Sequence, residues 1–312
     1  MEERKTILWI EGMRFIAILM IAIPHFIAMF CPQYFSLWDQ YPLLLKGISG
    51  KNGVAIFMVI AGYFASKKTD KNFATYVTQR YLQFAINIAL VLYVYCIACY
   101  ITRPQELVYS LFEATKDAIL FRDTICPTFW CIRPIFWSSI LCYILGNLCM
   151  YNNDKWRLIF AILLCLLLFK MNEVWIAIGV LGYVYRIVEE RFIDLESKYQ
   201  WTSIVLCSVL IPLLYRHNES YLTFYMQGVS CCLAMWVISQ VRFLQNIFGN
   251  KVILYLGSLS FYIFLSHTLV YQLLRNSLPE NTSIAVTALL SLILLLLIAP
   301  PSNRSISISY KK

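Results

Sequence analysis

Residues 7–30 read ILWIEGMRFIAILMIAIPHFIAMF, a run in which Glu11, Arg14 and His25 are the only ionisable side chains. A helix needs roughly 20 mostly apolar residues to cross a hydrocarbon layer, and this run has them. Arg14 and His25 are eleven residues apart, almost three turns. Both therefore project from one face, about 16 Å apart along the axis. Glu11 precedes Arg14 by three residues, within reach of an ion pair. Pro24 removes the helical hydrogen bond to the Met20 carbonyl and predicts a kink beside His25. Each ionisable group inside a span costs about 2.5–3.5 kcal/mol on insertion scales and needs a reason. Taken singly, Arg14 reads as a snorkelling anchor and His25 as a ring wetted by headgroups. Sharing a face, they read together as one wall of a polar site.

The rest of the chain has the same character. Of its 312 residues 60% are hydrophobic and only 14% charged, with a mean hydropathy of +0.66. Soluble domains are about 45–50% apolar and about 25% charged, so an ordinary soluble enzyme is excluded. So is a disordered chain, which requires low hydrophobicity and high charge. The expected fold is all-α, a polytopic integral membrane bundle of about ten transmembrane helices. The expected spans lie near residues 7–30, 47–65, 80–101, 127–150, 156–170, 172–188, 201–215, 221–241, 250–274 and 282–301. Residues 105–121 are amphipathic and carry Glu106, Glu113, Lys116 and Asp117, the pattern of an interfacial helix. The first run carries Glu11 and Arg14 and no small-residue cleavage site, so no removable leader is expected.

The net charge of +9 would suggest nucleic acid in a soluble protein. Here it follows from cytoplasmic loops that collect Lys and Arg, and no nucleic-acid partner is expected. With the N-terminus inside, sixteen Lys and Arg fall on inner segments and nine on outer ones. That asymmetry places both termini in the cytoplasm and agrees with an even number of spans. No repeat or low-complexity tract divides the chain. One transmembrane domain over 1–301 and a short cytoplasmic tail over 302–312 are expected.

Most of the eleven cysteines lie inside apolar runs and read as small buried hydrophobes. Cys126 and Cys131 flank a loop end where a disulfide is conceivable. The three histidines, His25, His217 and His267, are not spaced to share a metal, and no metal is expected. Walker, nucleophile-elbow and dinucleotide glycine motifs are absent. His267 falls in the outer half of its expected span, as His25 does in the first, so the two can converge. Gly47, Gly50 and Gly53 open the second span and suit close helix packing. Lys67, Lys68, Lys71 and Arg80 form the densest inner charge cluster. They read either as a topology signal or as a seat for a polyanion such as the phosphates of a nucleotide-bearing cofactor.

Several blocks together resemble one family. Glu11-Gly12-Met13-Arg14 followed by His25 resembles the Arg-x10-His signature of the membrane acyltransferase-3 family. Gly53-Val54-Ala55-Ile56-Phe57-Met58-Val59-Ile60-Ala61-Gly62-Tyr63 is similar to its glycine-flanked second-span block, with Ala61 where Ser is usual. Arg80 with Gln83 resembles an Arg-x-x-Arg pair whose second member has changed. Phe136-Trp137-Ser138 and Leu259 through His267 resemble two further blocks, and all occur in the family's order.

The resemblance implies an acyltransferase, and in particular an O-acyltransferase that carries an acyl group, commonly acetyl, from cytoplasmic acyl-CoA. The acceptor it implies is a hydroxyl of a cell-surface or capsular glycan, or of its lipid-linked precursor. It implies a multi-pass protein of a bacterial inner membrane, surrounded by membrane lipids. A sugar hydroxyl attacks a thioester only when a base takes its proton, and neutral histidine suits that task. His25 is the expected base, with an acyl-imidazole relay as the less favoured variant. Arg14 is expected to orient the donor, with Glu11 beside it. Lys67, Lys68, Lys71 and Arg80 are expected at the CoA phosphates, and His267 and Trp137 along the cavity. Intramembrane charge also marks transport paths, so a polysaccharide exporter or small-solute transporter without catalysis is the alternative.

Overall fold

A computed structural model describes residues 2–35, 50–65, 72–102, 109–148, 154–192, 204–205, 221–279 and 281–298. No strand occurs among the described residues. In chain order the helices are α1 (Glu2–Phe30), α2 (Pro32–Phe35), α3 (Gly50–Ala65), α4 (Phe73–Thr102), α5 (Leu111–Leu120), a 3-10 turn (Pro127–Cys131), α6 (Ile132–Leu148), α7 (Asp154–Lys170), α8 (Val174–Phe192), α9 (Tyr221–Gln240), α10 (Arg242–Phe248), α11 (Lys251–Ser277) and α12 (Ile284–Ile298).

A helix overlies nine of the ten expected spans; the remaining one, near 201–215, lies almost wholly outside the described residues. Five segments are long and apolar enough to cross a membrane: Leu8–Phe30, Phe73–Thr102, Pro127–Asn147, Leu222–Gln240 and Lys251–Ser277. The helices Gly50–Ala65 and Ile284–Ile298 are apolar but shorter. The expected count of about ten is thus supported for five by length and composition.

The outside of the bundle is apolar. On α4, Leu82, Ile86, Leu90, Val94, Ile97 and Ile101 are all exposed, spaced three or four residues apart along one stripe. Phe84, Ile88, Val91 and Leu92 of the same helix are buried. A stripe of this kind would be unfavourable in water by about 25 cal/mol per Å² and is at ease only against lipid. On α7, Ile159, Phe160, Leu163, Leu166 and Leu167 repeat the pattern. The protein is therefore a helical membrane protein.

Backbone contacts fix the frame. A Cβ on Gly257 of α11 would sit on the Glu11 carbonyl of α1, and one on Gly12 would sit on the Phe248 carbonyl of α10. A Cβ on Gly62 would strike the Gly179 carbonyl, and one on Gly182 the Val59 carbonyl, so α3 and α8 are equally close. Such approaches suit membrane interiors, where packing rather than water expulsion drives association. α1 and α11 run parallel: Glu11 meets Gly257 at one end, and His25 meets His267 farther along both helices. α4 runs parallel to α11 as well, with Phe84 against Phe261 and Tyr95 donating to Gln272.

Among the described residues of the stretch 105–121, the helix covers only Leu111–Leu120. α5 begins at Leu111, capped reciprocally by Ser110 and Glu113, and packs along α4. Tyr93 and Thr115 share a hydrogen bond, and Tyr81 donates to the Ile119 carbonyl. Asp117, expected on a wet face, is buried because its carboxylate accepts the Ile125 amide at 2.8 Å and folds the chain back after α5. α5 ends on Phe121 in the left-handed region, φ 49°.

Candidate active site

The interior polar centre is a pair of imidazoles. His25 Nδ1 lies 2.9 Å from His267 Nε2, with the rings nearly parallel at 10°. Their partners fix the protons. His267 Nδ1 faces the Phe264 carbonyl at 2.8 Å and the Ile263 carbonyl at 3.2 Å. A carbonyl only accepts, so His267 Nδ1 carries hydrogen and the neutral ring presents a bare Nε2. That nitrogen accepts from His25 Nδ1–H. The neutral His25 ring is then left with its lone pair on Nε2, the atom that could take a proton from a bound hydroxyl.

The surroundings hold this arrangement. His267 is fully buried, whereas His25 is partly exposed. The Tyr271 ring stands edge-on to His267 at 5.9 Å, and its hydroxyl reaches the Ala22 carbonyl. Behind the pair, Thr268 Oγ1 lies 3.2 Å from His267 Nε2 and donates to Thr128 Oγ1 at 3.4 Å. Thr128 also contacts Cys126 Sγ at 3.0 Å. Cys126 and Cys131 are both free thiols, and the Cys131 thiol points to the Thr128 carbonyl, so the conceivable disulfide is not formed. α1 stays helical through Pro24, and no break accompanies that residue.

The other expected site residues are dispersed. Arg14 Nη1 binds both oxygens of Glu11 at 2.9 Å, and its guanidinium lies over the Phe64 ring at 5.1 Å. It is at the α3 end of the bundle opposite the imidazole pair, as the eleven-residue spacing requires. Arg80 donates to Gln83 Oε1, so the altered Arg-x-x-Arg position is filled by an internal contact. Lys67, Lys68 and Lys71 lie outside the described residues. Trp137 is half exposed and lines an open groove with Trp130, Arg133, Pro134, Glu173 and Ile176, rather than touching the imidazoles. Among the described residues no cluster of His, Cys, Asp or Glu could hold a metal.

A second buried network escaped the sequence. Tyr63 donates to Glu189 Oε2 at 2.8 Å and Tyr185 to Oε1 at 3.2 Å. Arg186 donates to the Tyr63 hydroxyl and lies 3.8 Å from the same carboxylate. Arg186, counted among the inner cations, lies within the span expected over 172–188, and α8 runs on to Phe192, so Glu189 is helical as well. Their spacing of three residues is the one sequence signal that could have found the pair.

A family model described as an acyltransferase domain matches residues 7–300. The chain belongs to the acyltransferase family 3. No curated protein and no solved structure matches it. As a member of acyltransferase family 3 it is an acyltransferase that works in a membrane, and both imidazoles and both ends of the α1 polar face lie inside the matched range.

Proposed function

We propose that this protein is an O-acyltransferase in which His25 Nε2 is the general base. The acyl group, acetyl by preference, comes from acyl-CoA on the cytoplasmic side. The acceptor is a hydroxyl of a surface or capsular glycan or of its lipid-linked precursor. The observation that carries this reading is the 2.9 Å His25–His267 contact backed by two carbonyls, which leaves His25 Nε2 free to accept.

In the step so proposed, the acceptor O–H gives its proton to His25 Nε2 while its oxygen attacks the thioester carbonyl. The new C–O bond forms, the C–S bond breaks, and the departing CoA sulfur takes the proton back from the imidazolium. His267 keeps the base in the productive tautomer throughout, since its own Nδ1–H is committed to backbone. Such a base contributes typically about 10²–10⁴ in rate. Arg14, about 16 Å away along α1, supports the donor's anionic portion while an extended pantetheine arm reaches the imidazole. Placing the chain across a bacterial inner membrane with ten spans and both termini inside belongs to the same proposal.

The test is the mass of the surface polysaccharide repeat unit from cells expressing wild type or His25→Ala. Loss of one acyl mass per unit with polymer still exported is expected. Unchanged acylation with polymer retained inside would favour an exporter and end the proposal.

A further inference from the structure

The open groove lined by Trp130, Arg133, Pro134, Trp137, Glu173 and Ile176 has a volume of about 480 Å³, within the range of small-molecule sites. Trp130 of the 3-10 turn and Arg133, Pro134 and Trp137 of α6 make one stripe, and Glu173, just before α8, and Ile176 on it border that stripe. Trp residues near the end of a membrane helix are ordinarily interface anchors. Three features separate this groove from that arrangement.

First, its parts are held in place. The Trp130 ring meets Trp175 edge-on at 5.1 Å. Trp175 packs on Phe224 at 5.4 Å, and Lys51 caps Phe224 at 4.9 Å. Arg133 Nε donates to the Phe121 carbonyl at 3.0 Å and Nη2 to the Leu120 carbonyl at 3.3 Å. Second, polar capacity is left over on two exposed side chains. Toward the described residues, Arg133 retains both Nη1 hydrogens and one on Nη2, and the Glu173 carboxylate accepts nothing. Two opposite charges border one cavity without bridging each other. Third, the groove is level with the imidazoles. Thr128, two residues before Trp130, touches Thr268, the neighbour of His267. It does so nine residues, or about 13 Å, short of the end of α11.

We propose that this groove is a saccharide subsite. A phosphate would be repelled by Glu173 and a simple cation by Arg133. A ring bearing vicinal hydroxyls accepts from one and donates to the other, and its C–H face lies against an indole. Trp130 stands about 120° round the 3-10 turn from Thr128, so the sugar in the groove is a neighbour in the chain of the unit presented to His25. This acceptor role rests on the function proposed above; the binding itself does not.

The test uses the full-length protein in detergent on a microarray of defined neutral, amino and acidic oligosaccharides, with folding checked by size exclusion. Wild type should be retained on at least one saccharide class. Trp137→Ala should lose about tenfold in retention, Trp137→Phe should recover much of it, and Glu173→Gln should weaken it several-fold. Retention on no saccharide, or equal retention by all variants, would overturn the proposal. Displacement by phosphoethanolamine vesicles would also overturn it and reassign the groove to a zwitterionic lipid headgroup. Retention without acyl transfer would leave the subsite standing and remove the base assigned to His25.

Discussion

Replacing His267 by Leu deletes the acceptor of His25 Nδ1–H and little else. Leu fills much of the buried volume, and the carbonyls of Phe264 and Ile263 already lie within the α11 ladder, so no backbone group is orphaned. The lost neutral hydrogen bond is worth about 0.5–1.5 kcal/mol, or about 2- to 13-fold at about 1.36 kcal/mol per decade. The freed ring also rotates and exchanges tautomers, and misplacement of a reacting group can cost up to about 10²-fold. Together these put the fall in kcat at about 10- to 100-fold. His25→Ala, which removes the base itself, should cost about 10²–10⁴-fold. His267→Gln offers an amide oxygen from the same backbone position and should restore part of the loss. The assay is transfer from radiolabelled acyl-CoA in proteoliposomes, with kcat and KM separated. A wild-type kcat for His267→Leu, or a Gln variant no better than a folded Leu variant, would refute the reasoning. A rise in donor KM at unchanged kcat would place His267 in binding instead.

Two further outcomes concern the frame. Gly257→Ala puts a methyl group onto the Glu11 carbonyl and should destabilise the bundle by about 1–3 kcal/mol; it lowers the thermal midpoint in nanodiscs, while Gly50→Ala, whose Cβ meets nothing closer than 4.0 Å, leaves it unchanged. Tyr63→Phe removes a donor from the buried Glu189 and an acceptor from Arg186; the partly unpaired carboxylate should cost about 1–3 kcal/mol, read in the same melt.

The α1 run was legible because its three ionisable residues interrupt an otherwise apolar stretch, and helical periodicity alone assigns them a face. The convergence of His25 and His267 was open to the sequence only as equal outer depth on two spans. Their contact depends on the parallel packing of α1 and α11, which no local pattern encodes. Thr128 and Thr268 gave no signal, since a hydroxyl inside a membrane helix is commonplace and bonds to its own backbone as readily as to a partner. Glu189 was hidden by a helix boundary one turn too short, and Arg186 by being counted with the inner cations. α5 misled through its charges: Asp117 reads as a solvated residue until the fold delivers the Ile125 amide to it.

The main chains of α1 and α11 touch at Glu11 and Gly257, and their rings touch ten residues farther along α11, about 15 Å away. A pivot with an arm of that length gears small tilts into chemistry. Two degrees of splay shift one imidazole by about half an ångström, enough to stretch a 2.9 Å hydrogen bond toward the limit of usefulness. Hydrophobic mismatch loads helix tilt against the packing of neighbouring helices, and a lever of this length would pass such a load to the imidazole pair.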